Sequence, residues 1–160
     1  MLDEMPALPK HPALFDGRQC ETAMRVARGA RRLLRQMNFS TLTELPLVSG
    51  RRADIVALAR DGTLLIVEVK SSIADFRADT KWHEYRAHCD QLFFAIPDDV
   101  PIALMPEDAG LIIADAYGGE IIREAPQHKM APATRRAGLL RFAHTAAHRL
   151  HRMSDPEGLA

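Results

Sequence analysis

The segment that most limits how this chain can fold is Leu64-Leu65-Ile66-Val67-Glu68-Val69-Lys70. An aliphatic, β-branched run this short reads as a strand buried on both faces. It nevertheless carries Glu68 and Lys70, and side chains two apart on a strand share a face. Charges there are expensive unless paired or bound to a metal. The preceding run, 53–59, and the loop Arg60-Asp61-Gly62 complete a β-hairpin with it. With Gly62 in the left-handed position of a three-residue loop, Ala59 pairs with Thr63 and counting outward sets Asp54 opposite Glu68. Directly opposed residues have Cβ atoms about 4.5–5.5 Å apart. A two-residue loop would pair Asp54 with Val69 instead.

Around this hairpin the elements fall in a clear order. Ala23, Val26, Ala27, Ala30, Leu34 and Met37 recur at three and four, which predicts a helix over 20–39 with arginines on its other side. Asn38 is a helix stop. Residues 40–48 read as a strand broken by Pro46 and closed by Ser49-Gly50. Residues 78–90 read as a second, more polar helix, and 91–96 as a strand ended by Pro97. A further hairpin spans 110–116 and 120–123 around Tyr117-Gly118-Gly119, and a last helix covers 132–153. The expected fold is α/β in the α+β sense, a mixed sheet flanked by helices. Residues 1–17, with no period and many breakers, are expected to form a flexible arm, 18–153 a single domain, and 154–160 a polar tail.

Composition narrows the class. The two cysteines, Cys20 and Cys89, exclude a disulfide framework and a four-Cys zinc site, and idle thiols are the default. No apolar run approaches the ~18 residues of a membrane helix and the acidic, Pro-broken start is no signal peptide, so we expect a soluble cytoplasmic protein without a membrane partner. Lysines plus arginines and aspartates plus glutamates balance at 21 each, but unevenly along the chain. Residues 18–36 hold Arg18, Arg25, Arg28, Arg31, Arg32 and Arg35 against Glu21 alone. Residues 121–160 are basic again, and 97–120 are acidic. Such asymmetry permits binding to a phosphate backbone, or is simply solvated surface.

Two carboxylates as close as Asp54 and Glu68 repel each other unless one is protonated or a cation lies between them. Oxygen ligands suit Mg²⁺ or Mn²⁺, which can lower the pKa of a bound water and stabilise charge on phosphate. Lys70 could orient that water, deprotonate it, or hold the phosphate. The plainer alternative is a Glu68–Lys70 pair at a strand end with Asp54 capping a turn.

Arg52-Ala53-Asp54, a strand, then Ile66-Val67-Glu68-Val69-Lys70 resembles the core of the PD-(D/E)xK nuclease superfamily, with Ala53 where Pro is common. The order helix, three-stranded meander, helix, strand is similar to that superfamily's restriction-endonuclease-like core, here with an extra hairpin and a C-terminal helix. The strings GRRADIVAL, EVKSSIADFRADTKWHEY, CDQLFFAIP and GLIIADAYGGEIIREAP resemble the MmcB-like family of bacterial DNA repair endonucleases, over about residues 22–152. The resemblance implies Mg²⁺-dependent hydrolysis of DNA phosphodiesters by a nucleoid-associated protein. It makes Asp54 and Glu68 the metal ligands and Lys70 the catalytic lysine. The alternative function is a catalytically silent DNA-binding or recruitment module on the same fold, working with repair-protein partners. A hydrolase of smaller phosphate compounds ranks last, since Gly118-Gly119 forms a turn rather than a phosphate cradle. A homodimer pairing two sites is compatible with all of this but not required.

The superfamily usually adds an earlier acid. Glu44, ten residues before Asp54, is preferred over Glu21, which lies opposite the apolar stripe of its helix. Arg51 and Arg52 flank the pair and suit a phosphate. Ser71 and Ser72 can donate to phosphate oxygens or end the strand. Lys81, Trp82 and Tyr85 combine a cation with aromatics that stack bases or pack the core. Asp75 and Asp90 are candidate partners for Lys70 or Lys81. His144, His148 and His151 share a helix face without a third zinc ligand, which favours an exposed basic surface.

Overall fold

A computed structural model describes residues 17–157. Helix α1 spans Gly17–Gln36, strand β1 Ser40–Pro46, β2 Arg52–Leu58, β3 Leu64–Val69 and helix α2 Ile73–Ala78. A 3-10 helix covers Trp82–His88, followed by β4 Gln91–Ile96, a 3-10 turn Ile102–Leu104, β5 Gly110–Ala114, β6 Gly119–Arg123 and helix α3 Pro132–Ser154. The six strands form one sheet in chain order. The β3–β4 and β4–β5 pairs are parallel and the other three antiparallel, so the sheet is mixed. The arm expected over 1–17 lies outside the described residues except for Gly17, which opens α1. The end of the expected tail, 158–160, lies outside them too. Among the described residues no helix is long and apolar enough to cross a membrane.

Two cores sandwich the sheet. Val26, Ala30 and Leu34 of α1 pack on Ile55, Val67, Phe93 and Ile112. On the other face Ile66, Phe94 and Leu111 meet Trp82, Tyr85 and Phe142. Helix α1 stops as its sequence indicates. Asn38 turns left-handed at φ 67°, and Phe39 N–H reaches back to the Leu34 carbonyl at 2.9 Å while Asn38 N–H takes that of Arg35 at 3.0 Å. That pair of bonds is a Schellman closure, which satisfies the orphan carbonyls of the last turn.

Where a polar helix is expected over 78–90, helix α2 has already ended at Ala78 and a 3-10 helix covers Trp82–His88. Ser72 caps α2, its hydroxyl accepting from Asp75 N–H at 3.1 Å. The chain leaves helix at Asp79, whose carboxylate accepts from Lys70 Nζ and from Lys81 N–H. A short polar side chain that satisfies such groups competes with the helical ladder.

Asp90 corrects another expectation. It is no partner of Lys70 or Lys81: its carboxylate accepts both amino groups of Arg135 and Leu64 N–H, fixing α3 to the start of β3 and β4. Arg135 accordingly holds the Asp90 carboxyl below its usual range, helped by the Leu64 amide.

Helix α1 lies against the β5–β6 turn through Gly29. A Cβ there would collide with the Asp115 and Gly118 carbonyl oxygens, and backbone cannot step aside as a side chain can. Gly29→Ala is expected to cost on the order of 3 kcal/mol, measured by urea unfolding.

Candidate active site

The β2–β3 hairpin follows the three-residue register. Gly62 is left-handed at φ 90°, Ala59 N–H donates to the Thr63 carbonyl at 2.9 Å, and the ladder runs out to Ile55 opposite Val67. The next pair is Asp54 and Glu68, and there the strands part. Asp54 N–H donates to Glu68 Oε1 at 3.1 Å, and Val69 N–H donates to Asp54 Oδ2 at 2.8 Å. Each carboxylate thus takes an amide from the other's strand, replacing the rungs the ladder loses. Asp54 Oδ1 and Glu68 Oε2 take part in neither of these bonds.

Burial makes this pair electrostatically costly. Glu68 is 3% exposed. Burial first, and then the Asp54 charge, hold its carboxyl well above the usual range. Burial also pushes the Asp54 carboxyl up to about 6, against the Val69 amide and Lys70, which favour its ionised form. Two desolvated carboxylates with an outer oxygen each are a donor set that a hard divalent ion fits. Among the described residues no group of three or more His, Cys, Asp or Glu gathers as a metal cluster, the α3 histidines included. Protein ligation would therefore come from this pair, with water or phosphate oxygens completing the shell.

Lys70 lies on the same sheet face as Glu68, 5% exposed, its Nζ donating to Asp79 Oδ2 at 2.7 Å. Burial works against its ammonium, but the Asp79 hydrogen bond and charge prevail, and its pKa is raised. Asp79 is the Lys70 partner that the sequence did not point to. The signal available was Ser72-x-x-Asp75, a capping pattern that starts α2 at Ile73 and so brings Asp79 back over the strand end.

Glu44 occupies the β1 position that faces Asp54, between the Thr43–Ile55 and Leu45–Ala53 pairs. Its backbone is left-handed at φ 53°, a conformation non-glycine residues seldom adopt, and Arg149 donates to the Thr43 and Glu44 carbonyls there. Its carboxylate pairs with Arg52 at 2.6 Å and is half exposed, yet close enough for its charge to raise the Asp54 pKa. Glu21 is elsewhere, exposed on α1 and paired with Arg25.

The flanking candidates divide. Arg51 pairs with Glu84 and lies over the Tyr85 ring, 5.5 Å from its centroid. Ser71 N–H and hydroxyl both donate to Asp75, so that acid braces the turn beside Lys70. Lys81 is exposed. Trp82 and Tyr85 follow the packing reading and not the stacking one: at 6% and 5% exposed they offer no ring face to a base. Trp82 packs edge-on against Phe94, and Tyr85 donates its hydroxyl to the Arg52 carbonyl at 3.1 Å, two residues before Asp54. Cys89 is fully buried, where desolvation pushes its thiol up to about 12.

The family model of DNA repair protein MmcB-like matches residues 10–157. The chain belongs to the MmcB-like family. Its fold is also that of SPO1766, a protein of unknown function from Silicibacter pomeroyi, with 43% identity, a TM-score of 0.84, and 87% of this chain and 95% of that one covered. No curated protein matches the chain significantly.

Proposed function

We propose that this MmcB-like protein is a Mg²⁺- or Mn²⁺-dependent endonuclease that hydrolyses DNA phosphodiesters in repair, on a PD-(D/E)xK core. The observation that carries the reading is the Asp54–Glu68 pair, Glu68 buried and Asp54 partly so, at the point where β2 and β3 separate, with the Lys70 ammonium beside it. Such a pair is unfavourable on its own and becomes favourable around a cation.

Asp54 and Glu68 would hold the ion. When bound, it supplies positive charge to the phosphate and a water of lowered pKa. Lys70, kept protonated by Asp79, serves best as a fixed cation that orients the water or holds a phosphate oxygen. Hydrolysis adds the water oxygen to phosphorus and breaks one bridging P–O bond, the departing oxygen taking a proton. Arg51 and Arg52 can exchange their partners Glu84 and Glu44 for phosphate, and release of Glu44 would return that carboxylate toward Asp54.

The test is cleavage of labelled single-stranded, duplex, flap, nicked and junction DNA with Mg²⁺ or Mn²⁺, by wild type, Asp54→Asn and Lys70→Ala. Cutting of one class, lost in both variants, is the expected result. Binding without any product across both metals would instead assign a recruitment module.

A further inference from the structure

The outer face of α1 and the turn after β5 lie apart from the carboxylate pair and have no role in the chemistry above. Arg25, Arg28, Arg31, Arg32 and Arg35 are all exposed and fall within roughly 120° of the helix circumference. Among the described residues, Arg25 is the one of these five that forms an ion pair, with Glu21. Arg31 donates to the Thr41 hydroxyl and Arg32 to the Tyr117 carbonyl, neutral acceptors, although the Arg32 charge also acts on the Asp115 carboxylate in that turn. Arg28 and Arg35 have no hydrogen bond or ion pair among the described residues. Guanidinium groups in such a row match successive phosphates.

Tyr117 supplies the second observation. It stands at the tip of the β5–β6 turn, 81% exposed, joined to the arginine row through Arg32. Asp115, the acid in that turn, is engaged by the Tyr117 and Gly118 amides, which hold its carboxyl below the usual range. A large aromatic ring left in water next to a basic stripe is what a stacking platform for an unpaired base requires. Strands β3, β4 and β5 run parallel and end at Val69, Ile96 and Ala114, so the turn lies at the same end of the sheet as Lys70. Helix α1 itself covers the face with Val67 and Val69, opposite the one that Ile66, Glu68 and Lys70 share, so a strand held there would reach the site around this end of the sheet.

We propose that α1 and Tyr117 form a binding surface for single-stranded DNA, with phosphates on the arginine row and a base stacked on Tyr117. This deepens the nuclease reading and rests on DNA being the ligand: the substrate would carry an unpaired segment.

The experiment is fluorescence anisotropy of a labelled oligothymidylate and of a blunt duplex, in EDTA, at several salt concentrations. The proteins compared are the full chain, Tyr117→Ala, Tyr117→Phe and Arg28→Gln/Arg35→Gln. All these side chains are exposed, so the variants should fold. Tyr117→Ala is expected to weaken the single strand about tenfold and leave the duplex unchanged, while Tyr117→Phe binds as wild type. The double arginine variant should lower the slope of log K against log salt on the single strand by about 1.4, at about 0.7 per lost phosphate contact. Unchanged affinity and slope in these variants, or equal losses on duplex and single strand for Tyr117→Ala, would overturn the proposal. Nothing is cut in EDTA, so this result stands whether or not cleavage is found, and a failure here leaves the cleavage assay untouched.

Discussion

Asp54→Asn is expected to reduce metal-dependent cleavage by at least about a thousandfold, and to make the metal-free protein more stable at neutral pH. The first effect is the loss of one of two anionic ligands, which removes the charge that would hold the ion. The second follows from the environment of the carboxylates. The Asp54 pKa is raised to about 6, mainly by burial, and that of Glu68 is raised well above its usual value by burial and by Asp54. A group whose pKa rises on folding stabilises the folded state fully below its unfolded pKa, and that contribution fades as pH climbs through the folded value. Without metal, wild-type stability should therefore fall between about pH 4 and pH 7, Asp54 accounting for about 3 kcal/mol of it. Asparagine keeps an oxygen for the Val69 amide but no charge, so the variant should lose less over the same interval. Thermal melts in EDTA, taken as the difference between wild type and variant, cancel groups common to both, such as His88 and His128, whose pKa values burial lowers. Mg²⁺ at a hundred times its Kd should return about 2.7 kcal/mol to the wild type and nothing to the variant. Parallel melting curves from pH 4 to pH 7, or no response to Mg²⁺ in the wild type, would remove the electrostatic basis of the proposed site.

The parts of the fold that depend on local rules were legible in the sequence. The apolar spacing of α1, the left-handed Asn38 and the loop at Gly62 each act over a few residues, so the helix, its stop and the hairpin register can be counted directly. The carboxylate pair followed, because register alone brings Asp54 to Glu68. What was not legible depends on contacts between distant segments. Trp82 and Tyr85 could be read as packing or as stacking, and it is the folding of α2 and the 3-10 segment over Phe94 that decides for packing. The partner of Asp90 lies 45 residues away on α3. Glu44 was legible as a position and not as a contact. Its left-handed backbone is held by Arg149, and its carboxylate by Arg52, through pairings that no spacing rule encodes.

Asp79 shows what such a contact does for the chemistry. It binds Lys70 Nζ with one oxygen and Lys81 N–H with the other, at the break between α2 and the 3-10 segment. The ion pair is largely buried, its side chains 7% and 17% exposed, so removing the acid leaves an ammonium in a poorly solvated place. Breaking such a pair costs about 3 kcal/mol. Asp79→Ala is therefore expected to lower stability by about that much, and kcat by about a hundredfold, because Lys70 loses its fixed position. Asp79 is a positioning residue on this reading, so KM for DNA should stay near the wild-type value while kcat falls. Lys70→Ala should lose as much activity, and the double variant Lys70→Ala/Asp79→Ala should lose no more than either alone, since both changes remove the same placed cation. Asp79→Glu, which keeps the charge at a longer reach, should recover part of kcat. A destabilised Asp79→Ala protein with unaltered kcat at a temperature where it remains folded would show that the pair only holds α2 to the sheet. Losses that multiply in the double variant would separate Asp79 from Lys70 and leave the lysine's orientation to the strand alone.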